Sequence, residues 1–111
     1  MDKNKIRQEF DRAVNMTVAE LEAWLSTDES QKVGFRRAGE NQSVDHASGR
    51  QIVRILRTSA TELAAADYLH MRKVVGYVQR HRAQRPENIY TSRWRYSLMN
   101  WGHDPVKEDE R

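Results

Sequence analysis

Cysteine is absent from the 111 residues. That excludes disulfides, thiolate nucleophiles and thiolate-held metals, and it accords with a reducing compartment. No run approaches the ~18 uninterrupted apolar residues of a membrane span, and the opening MDKNKIRQEF has no apolar stretch like that of a secretory signal. A cytoplasmic location with no membrane partner is therefore expected. Proline occurs twice and glycine five times, with no phosphate-cradling glycine loop. Apolar residues make up only 38% and mean hydropathy is -0.92, so the core is expected to be thin. A chain of this length holds one such core.

What the chain does have is charge, and its placement says more than its total of +3. Residues 1–49 carry seven Lys/Arg and nine Asp/Glu, net -2. Residues 50–96 carry ten cations against only Glu62, Asp67 and Glu87, net +7, and residues 97–111 carry two against four, net -2. Segregation of this kind is the electrostatic footprint of a polyanion binder.

Apolar residues recur at three- and four-residue spacing in five stretches. The expected fold class is all-α: a small single domain of about five helices with a long loop after the second. Ile6, Phe10, Ala13 and Val14 share the first apolar face. Thr17 and Glu20 have capping-box spacing before a second face of Val18, Leu21, Trp24 and Leu25. Residues 28–45 are polar, with Gly34 and Gly39, and read as the long loop.

The third helix is expected to start near Ser48 or Gly49, with Ser48 as its cap. Ile52, Val53, Ile55 and Leu56 lie on one side of it and Arg50, Arg54 and Arg57 on the other, at i, i+4 and i+7. The fourth, from about Thr61 to Gln84, buries Ala64, Tyr68, Met71, Val75 and Val78 and turns Lys73, Tyr77 and Arg80 outward; Pro86 follows its end. Thr91 or Ser92 caps the fifth, where Trp94, Leu98 and Trp101 share a face and Gly102 supplies the stop. Arg93, Tyr96, Ser97 and Asn100 are then left facing out. The domain reading is an N-terminal helical extension over 1–15, a helical domain over 16–107 and a charged, frayed tail over 108–111.

Arginine and lysine pair with phosphate and displace its counterions, which makes Arg50, Arg54, Arg57, Lys73, Arg80, Arg93 and Arg95 the expected nucleic-acid contacts. Tyr77, Tyr96 and Asn100 add stacking or base-edge hydrogen bonds. The link from Arg85 to Tyr90 is longer than the turn of a helix-turn-helix motif, so no recognition helix is assigned. His46, His70, His81 and His103 lack metal-ligand spacing, and neither a metal nor a cofactor is expected. His103 beside Asp104, and His46 near Ser48, are the pairs nearest to acid-base or nucleophilic chemistry. A helix-end contact for His103 and a cap role for Ser48 explain them better.

The strings HASGR (46–50), MRKVVGYVQRH (71–81), AQRP (83–86) and RWRYSLMNWGHDP (93–105) resemble a bacterial domain-of-unknown-function family, number three-one-four-zero. The resemblance runs from Met16 to about Lys107. It implies no catalytic residues, and some members of that family are labelled DNA-binding. The chain departs from the family pattern at Arg82, where an apolar residue is usual, and at Ala64–Ala66, where an acidic capped stretch is usual. The expectation is a non-enzymatic DNA-binding protein with weak sequence specificity, DNA being preferred to RNA. The alternative is a protein-interaction or stress-associated accessory domain that meets an acidic partner through the same cations.

Overall fold

Helices begin where a short polar side chain can receive the free N–H groups of the first turn. The computed structural model, which describes residues 1–110, has such a side chain at six of its seven helix starts. Asp2 caps α1 (Lys3–Ala13), accepting from Lys5 N at 3.0 Å. The expected capping box opens α2 (Val18–Leu25): Glu20 N donates to Thr17 Oγ1 at 3.1 Å and Thr17 N donates to Glu20 Oε1 at 2.8 Å. Thr27 caps α3 (Asp28–Lys32), Ser43 caps α4 (Val44–Leu56), Ser92 caps α6 (Arg93–Asn100) and Asp104 caps α7 (Pro105–Asp109). The exception is α5 (Ala65–Arg82), where Asp67 Oδ2 accepts from Ala64 N at 2.8 Å instead. A 3-10 turn at Ala60–Glu62 precedes α5. The described residues hold no strand, and five of their helices have eight residues or more.

Several expected boundaries shift. The loop expected over 28–45 contains α3 and ends at Ser43, which accepts from His46 N at 3.0 Å and starts α4 earlier than expected. Ser48 is consequently inside the helix and buried, not its cap. The fourth expected helix starts at Ala65, and Ala64, in its N-cap position, is exposed instead of buried. Residues 105–109 form α7, so the start of the expected frayed tail is helical.

The longest pairing runs α1 along α5, where Ile6, Phe10 and Ala13 join Met71, Val75 and Val78 in the core. Leu21, Ile52, Val74 and Leu98 are sealed from solvent; burying each such side chain contributes about 1.5–3 kcal/mol. In the middle lies α6, which touches α2, α3, α4 and α5. Its approach to α4 requires glycine at 49, since a Cβ there would stand 2.7 Å from the Asn100 carbonyl oxygen. Gly102, at φ +80°, makes the expected left-handed stop.

Candidate functional site

The sequence on α4 sends its arginines to one side because its apolar residues take the other. Arg50, Arg54 and Arg57, with Glu22, Leu25 and Val53, line a groove of about 680 Å³ between α2 and α4. Arg54 Nη2 bonds Asp67 Oδ1 at 2.7 Å, and Arg57 pairs with Glu22. Both guanidinium side chains are nevertheless more than half exposed. Arg50 is exposed and forms no ion pair among the described residues. The Asp67 carboxyl is held below the usual carboxylate range, first by the Ala64 N–H and then by Arg54.

The opposite flank of α4 faces α5 across a smaller crevice of about 170 Å³, lined by Arg37, Ser48, Gln51, His70, Lys73 and Trp101 among others. Lys73 is an expected contact residue. Arg37 was not anticipated, because it lies in a polar segment whose net charge is negative. Neither cation has an ion-pair partner among the described residues. Five cations thus border α4, with Glu22 and Asp67 as the carboxylates paired to two of them.

Six expected contact residues lie elsewhere. Asn100, expected outward, is fully buried: Trp24 Nε1 and Ser30 Oγ donate to its Oδ1 at 2.8 and 2.5 Å, and its Nδ2 donates to the Ser30 carbonyl at 2.9 Å. Tyr96 packs on the core, its ring 5.2 Å from that of Trp24. Tyr77 stacks on Trp101 at 4.3 Å and donates to Asp45 Oδ2 at 3.2 Å. Burial, and then Asp45, pushes its hydroxyl pKa up. Arg95 is gripped in bidentate fashion by Asp104, both bonds 3.1 Å, and donates to the Tyr90 carbonyl at 2.8 Å. For Asn100, Tyr96 and Arg95 the reason is that α6 is surrounded, so the face opposite Trp94 and Leu98 is also an inner face; Tyr77, on α5, is covered by Trp101 just past the end of α6. Arg80 and Arg93 are exposed, but neither lines the crevices beside α4.

A second group of cations is neutralised at the other end of α5. Arg82 pairs with Glu108, Arg85 with Asp109, and Lys107 with Glu20. Arg82 is exposed, so the cation that departs from the family pattern burdens no apolar face. The Lys107 ammonium and the Thr17 N–H hold the Glu20 carboxyl down to about 2. His103 Nδ1 bonds the Ala13 carbonyl at 2.8 Å and its Nε2 lies 3.1 Å from Glu108. His46 Nε2 bonds the Leu25 carbonyl at 2.8 Å. The His103–Asp104 and His46–Ser48 pairs therefore spend their groups on separate partners, with Ser48 Oγ 3.0 Å from His70 Nε2. No cluster of three metal-ligating side chains occurs among the described residues, and no helix there is long and apolar enough to cross a membrane.

A family model described as a protein of unknown function, DUF3140, matches residues 9–99. No curated protein and no solved structure matches the chain.

Proposed function

Since the chain belongs to the DUF3140 family of proteins of unknown function, its role has to be argued from its own geometry, and we propose a non-enzymatic protein that binds duplex DNA through the outward side of α4. The observation that carries this reading is the row of Arg50, Arg54 and Arg57 along one groove, with Arg37 and Lys73 on the other flank of the same helix. Phosphate contacts of this kind supply affinity without reading sequence, so specificity is weak. Arg57 gives up the partly exposed carboxylate of Glu22 to reach phosphate, an exchange of one ionic contact for another, while Arg54 offers the exposed part of its guanidinium beside the buried carboxylate of Asp67.

DNA is favoured over RNA on two grounds. The arginine side chains that project from the one exposed edge of α4 can reach into the wide major groove of B-form DNA, whereas that of an A-form duplex is too narrow. Binding of single strands relies on aromatic stacking platforms; Tyr77 and Tyr96 are partly buried against the core, and the exposed Phe35 and Tyr90 do not line the arginine groove. The cytoplasm, where these contacts would be made, is part of the same proposal. Fluorescence anisotropy with duplex DNA at about 50 mM salt tests it, with binding expected at micromolar protein. Absence of binding there overturns it.

A second reading draws on Leu25 and Val53 within the arginine-lined groove. An acidic amphipathic segment of a partner protein matches an apolar floor with a cationic rim. Recovery of a single protein in a pull-down after nuclease treatment, with no DNA binding by anisotropy, would favour it.

A further inference from the structure

The crevice on the α5 side of α4 differs in kind from the others. Four other crevices on the surface each have at least one carboxylate in the wall: Glu9 in two that run beside α1, Glu22 in the arginine groove, and Glu108 with Asp109 beside α7. This one has none, yet it holds two cations without ion-pair partners. Its remaining polar groups, Ser48 Oγ, the Gln51 amide and the His70 ring, are neutral hydrogen-bonding groups. We propose that this crevice is a binding site for a single phosphate group, held by Arg37 and Lys73, with Ser48, Gln51 and His70 as its neutral partners.

The construction of the site supports that assignment. Ser48 is buried one turn beyond Val44 on α4, and its Oγ meets His70 Nε2 of α5 at 3.0 Å, tying the two walls together. The floor is Trp101, stacked 6.0 Å from His70 on one side and 4.3 Å from Tyr77 on the other. A volume of about 170 Å³ is smaller than the roughly 300–1,000 Å³ that encloses a whole organic ligand. It suits one compact anion whose remainder projects into solvent. The guanidinium of Arg37 offers a fork of donors and Lys73 a point charge, the two usual cationic partners of phosphate.

His70 provides a reporter within the site. Burial, and then the neighbouring Lys73, holds its imidazole below the usual histidine range, and Arg54 on α4 adds to this while Ser48 and Asp67 oppose it. A phosphate placed beside Lys73 would offset that repulsion and raise the pKa of His70. For a phosphodiester, whose charge does not change in this range, binding would therefore tighten as pH falls, whereas a monoester loses charge of its own near pH ~6.

Two sources carry the group: a nucleic-acid backbone and a free phosphate monoester. The test is histidine-ring NMR of the full chain titrated with inorganic phosphate, with and without a short duplex DNA. Phosphate is expected to move the His70 resonances and raise their titration midpoint. Arg37→Gln/Lys73→Gln, whose changes are on the surface, should weaken this response at least about tenfold while far-UV dichroism stays unchanged. Arg80→Gln, an exposed cation that lines neither crevice beside α4, should leave it intact. If DNA displaces the phosphate, the backbone is the source; if both bind without competition, the source is a free monoester, and the site stands in either case. It is overturned if His70 ignores both probes, or if the double variant responds like the parent. Loss of DNA binding with a retained phosphate response would remove the proposed DNA role and leave this site standing.

Discussion

The two ends of the long helix α5 handle positive charge in opposite ways. Beside its first half, around α4, Arg37, Arg50 and Lys73 are unpaired among the described residues, and Arg54 and Arg57 keep exposed guanidinium groups despite their partners. At its last turn, Arg82 and Arg85 meet Glu108 and Asp109 of α7, while Arg95, beyond it, is clasped by Asp104. Residue type is the same at both ends. Availability differs, because a carboxylate brought from elsewhere in the chain converts a cation into a clamp.

If this contrast is functional, the two sets should fail differently. The largest effect is expected from Arg50→Ala/Arg54→Ala/Arg57→Ala, which should weaken DNA binding by a hundredfold or more at low salt, roughly 3 kcal/mol. The slope of log affinity against log salt should also fall by about 2–3, since each phosphate contact contributes about 0.9. Anisotropy across a salt series reads both, and an unchanged slope would place the arginines outside the interface. Asn100→Ala, at the expected contact that proved internal, should instead cost about 2–3 kcal/mol in urea denaturation, because it strands Trp24 Nε1 and Ser30 Oγ. The folded fraction of that variant should bind DNA as the parent does.

Smaller effects sharpen the contrast at α7. Arg82→Gln/Arg85→Gln removes two partly exposed pairs; each is worth about 0–1 kcal/mol. A modest fall in Tm with DNA affinity inside about twofold is expected, whereas a large affinity loss would erase the distinction between the two ends. Acid should act on the same clamp. Because the folded pKa of Glu20 is depressed to about 2, from an ordinary ~4.3, its contribution is present above the unfolded value and lost as pH falls through the folded one. Lys107→Gln should therefore flatten the decline of Tm below about pH 4. An unaltered decline would show that the Lys107 contact does not hold Glu20 down.

What could be read in the sequence divides along the same physical line. The apolar faces of α1 and α2 were legible because each helix buries only one side, and Thr17 with Glu20, like Gly102, acts within a single turn. Asn100, Tyr77 and Arg95 were misplaced because helical periodicity separates two faces but does not reveal that a helix is enclosed on both. Nothing local to Asn100 announces Trp24 and Ser30, which lie 76 and 70 residues away. The helix α3 was read as part of the polar loop because five residues are too few for an apolar period. The α4 arginines were legible as a row; that Arg37 and Lys73 share the next crevice depends on how α4 and α5 pack.

The absent side chain at Gly49 bears on all of this. With the backbone of α4 resting against the Asn100 carbonyl, where a methyl group would have no room, the helix cannot roll about its own axis without colliding with α6. Its angular phase is locked from inside the protein. The bearing on which Arg50, Arg54 and Arg57 face outward is thus decided on an inner flank of the helix, by a residue that has no side chain to offer a partner.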